Sequence, residues 1–208
     1  PNNPTSTSLL RSELQEIIDM SAQHGIMVFL DEDFMEFIQS EKRYSFAKDV
    51  QKHRNLFVLR SFTKFFALTG LRVGYGVACE EIIEVLHKLK TPWNVNCVAQ
   101  TAAAAALKDN GYIDKTEKLI EDERRFLQSE LSRIGGLKPL RAEANFILID
   151  IRDTGYTASR LKEMMIRHRI LIRDCSSFEG LDGYHIRVSV GKRQDNERFL
   201  EALRASVG

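Results

Sequence analysis

Lys64 stands between two apolar stretches. Residues Leu56 to Leu59 precede it, Phe65 and Phe66 follow at once, and Arg72 comes eight residues later in the Gly-rich run "GLRVGYG". An amine is costly to bury, and a buried one is kept neutral, which makes it a nucleophile able to form a Schiff base with an aldehyde. The other reading is a loop lysine with its head in water, like Lys115, Lys118 and Lys162 on polar helix faces. Ser61 and Thr63 lie beside Lys64 in sequence. Hydroxyls and a guanidinium are natural phosphate ligands, but they are also ordinary caps and surface groups. "GLRVGYG" has neither the Walker nor the dinucleotide spacing, and it runs into a strand instead of opening a helix.

Asp31 directly follows the apolar run "IMVFL" (26–30), and Ser61 and Lys64 follow the run "NLFVL" (55–59). Both sets therefore fall at the carboxyl ends of strands, where open α/β sheets bind ligands. A carboxylate there can hold a ligand's cationic nitrogen protonated; equally, "DED" (31–33) reads as a solvated turn. In "HIRVSV" (185–190), Ile186, Val188 and Val190 share one face and His185, Arg187 and Ser189 the other. Arg187 is thus expected to point away from the core, fixed on a strand, where it can grip a carboxylate with two N–H groups. Arg173, ending "ILIR", is a second such group. A surface ion pair explains either arginine equally well.

The elements that must position these groups are readable from hydrophobic period. A helix is expected over 8–24, with Leu9, Leu10, Leu14, Ile17, Ile18 and Met20 on its inner face, capped by Thr7 or Ser8 and ended by Gly25. Strands follow at 26–30, buried on both faces, at 55–59, and at 72–78, whose glycines suit a close approach to the backbone. Helices are expected at 80–90, 97–108 and 112–134, the last with an apolar stripe of Ile113, Leu119, Ile120, Leu127, Leu131 and Ile134. Beyond it come strands at 145–151, 170–173 and 185–190 and helices at 157–168 and 195–206. The first part alternates as an α/β layered fold, and the rest is a small α+β unit, which gives domains of 1–130 and 131–208.

Composition narrows the function. The chain has 208 residues, 43% hydrophobic, with 30 basic and 29 acidic side chains. That balance carries no nucleic-acid footprint, and "RHRILIR" (167–173) reads as a helix end running into a strand. Three widely spaced cysteines, Cys79, Cys97 and Cys175, read as reduced thiols in a cytoplasmic protein, and the five histidines lack metal-ligand spacing. No run is long and apolar enough to span a membrane. The opening "PNNPTSTS" reads as loop interior, so the sequence is expected to start inside a longer protein.

Taken in order, "PNNPT", "LDEDF", "SFTK", "GLRVG" and "IRVSVG" resemble the fold-type I pyridoxal-phosphate enzymes. More narrowly they resemble the class I/II aminotransferase group that holds histidinol-phosphate aminotransferase and threonine-phosphate decarboxylase. The resemblance covers essentially the whole chain. It implies a partial three-layer large domain of the PLP-transferase kind followed by a small α+β C-terminal domain, and pyridoxal 5′-phosphate as cofactor. It gives Lys64 the Schiff-base role and Asp31 the pyridine nitrogen. Asn3 matches the asparagine on the cofactor's phenolic oxygen, and Ser61, Thr63 and Arg72 match phosphate-binding positions. Arg187 matches the arginine on the substrate's α-carboxylate, and Arg173 an arginine on a substrate phosphate.

The family usually carries tyrosine where this chain has Phe34, so more of the phenolic-oxygen task falls to Asn3. With "TPWNVN" (91–96) and "IRDCSSFEGL" (172–181), that departure looks more like threonine-phosphate decarboxylase of cobalamin biosynthesis. The implied reaction is decarboxylation of L-threonine O-3-phosphate to (R)-1-amino-2-propanol O-2-phosphate. Transamination of histidinol phosphate is the alternative, and a folded but catalytically empty fragment is a second. A small phosphorylated substrate and a homodimer are the partners implied, without nucleic acid or membrane.

Overall fold

The computed structural model describes residues 1–38 and 45–208. They form two compact units, one of Ser8–Thr116 and one of Pro1–Thr7 with Glu117–Gly208. The sequence-based division at 130 and the boundary of the compact units, between Thr116 and Glu117, both fall within the long helix.

The Ser8–Thr116 unit holds a three-stranded sheet in the order β1 (Val28–Asp31), β2 (Leu56–Ser61), β3 (Gly74–Ala78). β1 and β2 are parallel, with Asp31 opposite Leu59; β2 and β3 are antiparallel, with Ser61 opposite Gly74. Helices α1 (Arg11–Gln23), α2 (Glu80–Leu89) and α3 (Cys97–Ala106) belong to this unit, and α4 (Asn110–Leu131) starts in it. Leu14 and Ile18 of α1 pack with Phe46, Val50, Leu56 and Val58 to make its core, and Val28, Leu30 and Val77 border them.

Two expectations for this unit need correction. α1 begins at Arg11, not at residue 8, and Leu10, not Thr7 or Ser8, is its N-cap; the Leu10 N–H donates to Glu13 Oε2. Of its expected inner face only Leu14 and Ile18 are buried, while Leu9, Leu10, Ile17 and Met20 are exposed. The strand expected at 26–30 is buried on neither face throughout. Among the described residues β1 lies at the edge of its sheet, and Phe29 is 65% exposed with its ring stacked on Phe57 at 5.1 Å. A run of apolar residues tells strand from loop but not edge from centre.

The second unit holds an antiparallel sheet in the order β4 (Lys138–Pro139), β5 (Phe146–Asp150), β7 (His185–Ser189), β6 (Arg173–Asp174). Helices α5 (Ala158–Arg167) and α6 (Arg193–Val207) pack against each other, and Leu127 and Leu131 of α4 are fully buried. The strand expected at 170–173 shrinks to Arg173–Asp174, with Leu171 in the open before it. The N-terminal residues are stapled to this unit by buried Ser6, whose Oγ accepts from the N–H groups of Glu143 and Ala144 at 3.1 and 2.8 Å.

Candidate active site

The parallel pairing of β1 and β2 brings their carboxyl ends to one rim of the sheet. Alternation along the strands puts Phe29 and Asp31 on the same face as Phe57, Leu59 and Ser61, and leaves Leu56, Val58 and Arg60 facing the core. Chain direction then decides the acids. Glu32, one residue past β1, turns inward and is fully buried. It accepts from Arg60 Nε at 3.0 Å and Nη2 at 2.9 Å, from Ser45 Oγ at 2.9 Å and from the Phe46 N–H at 3.0 Å. Burial works against the Arg60 charge, but Glu36 and Glu32 outweigh it and hold the guanidinium above its usual range. "DED" is therefore no solvated turn. Its middle residue is bolted into the core, and the acids on either side face the rim.

Asp33 organises that rim. Its N–H donates to Asp31 Oδ1 at 2.9 Å, Lys64 Nζ donates to its Oδ2 at 3.0 Å, and Ser61 Oγ donates to its Oδ1. Ser61 Oγ also lies 2.8 Å from Thr63 Oγ1 and accepts from the Thr63 N–H at 3.2 Å. Asp31, Asp33, Ser61, Thr63 and Lys64 are thus one hydrogen-bonded set. Arg72 belongs to the same loop, with left-handed backbone (φ 54°). Its Nη1 donates to the Thr69 carbonyl at 2.9 Å, and Thr69 Oγ1 donates to the Thr63 carbonyl at 2.8 Å.

Of the two readings of Lys64, a buried amine and a loop lysine with its head in water, the structure has the second. The side chain is 41% exposed and ion-paired with Asp33, and its Nζ lies 5.4 Å from the centre of the Phe34 ring. The flanking aromatics serve the backbone instead. Phe65 and Phe66 are buried, and Phe65 packs edge-on against Phe37 at 5.3 Å. The Phe65 carbonyl accepts from the Tyr112 hydroxyl at 2.8 Å. They anchor the loop so that its one amine stands at the rim. The Gly-rich strand also has a local reason. A Cβ at Gly76 would lie 2.1 Å from the Phe57 ring, so what approaches that backbone closely is a side chain of β2.

The other candidates lie in the second unit. β6 pairs with β7 so that Arg173 stands opposite Arg187. Ile186, Val188 and Val190 are buried, and Arg187 is on the other face, as alternation predicts. Arg187 Nη1 donates to Asn3 Oδ1, and the guanidinium lies over the Phe146 ring at 5.0 Å. Arg173 donates to Ser177 Oγ at 3.2 Å and lies 5.5 Å from the Phe178 ring centre. Burial pushes the Arg187 guanidinium below its usual range; Cys175 opposes this and Arg173 adds to it. Among the described residues neither arginine pairs with a carboxylate; Ser177 holds Arg173 and Asn3 holds Arg187. Two like charges side by side, held by neutral oxygens and ring faces, suit an anion.

The profile of the class I and II aminotransferases matches residues 1–203. The chain belongs to that family. It is 38% identical over 203 residues to a histidinol-phosphate aminotransferase of Methanothermobacter thermautotrophicus, covering 98% of this chain and 52% of the relative. Among solved structures, the histidinol-phosphate aminotransferase of Clostridium acetobutylicum superposes with a TM-score of 0.93 at 31% identity, over 99% of this chain and 61% of that one. The L-threonine-O-3-phosphate decarboxylase of Porphyromonas gingivalis does so with a TM-score of 0.88 at 27% identity, over 99% and 62%. The chain spans about half the length of the curated relatives it matches. The fold is the PLP-transferase fold, present here in part, and the cofactor implied by this membership is pyridoxal 5′-phosphate. The donor set of the rim fits that group: an exposed primary amine, a carboxylate, two hydroxyls and a guanidinium, all on or next to one sheet edge.

Proposed function

We propose that the protein is a pyridoxal-phosphate-dependent enzyme acting on a small phosphorylated amino compound, and that it works as a cytoplasmic homodimer. The observation that carries this reading is the hydrogen-bonded set of Asp31, Asp33, Ser61, Thr63 and Lys64 at the carboxyl ends of two parallel strands.

When bound, pyridoxal phosphate supplies an aldehyde that amines can attack and a pyridine ring that accepts electrons. Lys64 is the residue of this chain that links to it, through Nζ. Asp31 keeps a proton on the ring nitrogen, since a carboxylate favours the charged form of a cation beside it. Ser61 and Thr63 offer hydroxyl protons to the phosphate and Arg72 offers its guanidinium. Asn3 donates its side-chain amide to the phenolic oxygen. Arg187 holds the substrate's carboxylate with its planar fork, and Arg173 holds the substrate's phosphate. The Lys64 amine would be the base at hand for a proton on the substrate's α-carbon.

Two reactions fit these roles, and they differ in which bond at that carbon is broken. Transamination of histidinol phosphate is supported by the curated relatives that carry that name. Decarboxylation of L-threonine O-3-phosphate is favoured by Phe34, which places a ring instead of a hydroxyl beside Lys64, and by the likeness to the decarboxylase of Porphyromonas gingivalis. A paired assay separates them. Threonine phosphate is supplied and carbon dioxide followed; then histidinol phosphate is supplied with 2-oxoglutarate and glutamate followed. Turnover in neither, by a chain that also takes up no pyridoxal phosphate, would return the catalytically empty fragment.

A further inference from the structure

The reaction as proposed leaves the Asp33 carboxylate without a task, yet it joins two groups that the reaction uses. One oxygen accepts from Ser61 Oγ and the other from Lys64 Nζ. These are a group assigned to the phosphate and the group assigned to the aldehyde. The Asp33 side chain is only 18% exposed. Its direction is set on one side by its own N–H on Asp31 and on the other by the buried Glu32 that precedes it.

A hydroxyl has one proton to donate, so Ser61 cannot give it to Asp33 and to a phosphate oxygen at once. A carboxylate beside a phosphate dianion also repels it. An ammonium held by a carboxylate must leave it before its nitrogen can act as a nucleophile.

We propose that Asp33 is a positioning residue that serves as an internal anion: it holds Ser61 and Lys64 in place and competes for them with the phosphate of an incoming ligand. This inference rests on the assignment of Ser61 and Lys64 to pyridoxal phosphate. It makes loading a displacement, in which a dianion with further donors at Thr63 and Arg72 takes Ser61 from a monoanion.

The test uses the full chain and its Asp33→Asn and Asp33→Glu variants, each first freed of carried pyridoxal phosphate with hydroxylamine and dialysis. Inorganic phosphate binding is measured by calorimetry. Acetylation of Lys64 by trace acetic anhydride is measured by peptide mapping, with Lys52, held by Asp49 at 2.8 Å, as internal reference. In Asp33→Asn, phosphate is expected to bind about tenfold tighter, the order expected for losing one partly screened like charge. Lys64 is expected to label several-fold faster relative to Lys52. Asp33→Glu stays near the parent in both. A merely structural role would loosen the rim and weaken phosphate binding, not tighten it. In parallel, the parent is incubated with pyridoxal phosphate, reduced with borohydride and mapped. If Lys64 carries the adduct but Asp33→Asn matches the parent in phosphate affinity and labelling, the competition is overturned and the cofactor assignment stands. If Lys64 carries no adduct, the assignment fails and this inference fails with it.

Discussion

Glu32 and Arg60 form a buried ion pair directly beneath the rim, with two guanidinium nitrogens of Arg60 on one carboxylate oxygen of Glu32 at 3.0 and 2.9 Å. The pair links the end of β1 to the end of β2, and so sets the spacing between Asp31, Asp33 and Ser61. Neutralising Glu32 leaves the buried Arg60 charge with Glu36, 3.2 Å from its Nη1, so the cost falls below the about 3–5 kcal/mol of a buried charge left wholly unmatched. Glu32→Gln should lower unfolding stability by about 1–3 kcal/mol, the order for a buried hydrogen-bonded group deprived of its partner. It should also speed acetylation of Lys64, because Asp33 loses its fixed neighbour. Urea unfolding with peptide mapping checks both; a variant as stable as the parent would mean the pair does not organise the rim.

Acid stability has an identifiable source away from the rim. Asp49 is lowered from 3.8 to about 2, first by its hydrogen bond to Lys52 and then by that to Arg11. A carboxyl depressed in the folded state stabilises the fold above its unfolded pKa, and that contribution is lost as pH falls through the folded value. The loss therefore falls between pH 3.8 and about 2. Asp49→Asn should flatten this part of the stability profile, read as thermal midpoints at steps of pH. An unchanged acid limb would assign it to other carboxylates.

The same sequence was unequally legible at its different points. Asp31 and Lys64 are visible because each follows an apolar run, Asp31 at once and Lys64 a few residues on, and strand ends are where open sheets place ligands. Arg187 is visible because a period of two needs only its neighbours Ile186 and Val188. Asp33 is hidden, since "DED" looks like one hydrophilic turn. Only the inward-facing Arg60, on another strand, shows that the middle acid is a core residue and the outer ones are not. Two signals in the sequence point to it: an arginine at an inward position of β2, and consecutive acids at the end of β1. The exposure of Phe29 and of half of α1 was illegible for a different reason. Hydrophobic pattern says which face wants cover, not whether these residues supply it. β4 was missed because two residues, one of them proline, leave no period to read.

Arg187 should prove sensitive to shape as well as charge. Lysine keeps the charge but loses the planar fork and its two parallel N–H groups. Arg187→Lys is expected to lower kcat/KM on whichever substrate turns over by about 10- to 100-fold, equivalent to about 1.4–2.8 kcal/mol. Most of that should appear in KM, with the pyridoxal phosphate adduct on Lys64 unchanged. Steady-state kinetics across substrate concentration decide it; an effect confined to cofactor uptake would move Arg187 out of substrate binding.

The role proposed for Lys64 admits the most direct test. The chain is incubated with pyridoxal phosphate, the product is reduced with borohydride, and every lysine peptide is mapped by mass spectrometry, in the parent and in Lys64→Ala. The account predicts one dominant adduct, on Lys64, and its loss in the variant without a compensating adduct elsewhere. Modification spread evenly over exposed lysines, or an adduct yield unchanged by Lys64→Ala, would contradict it.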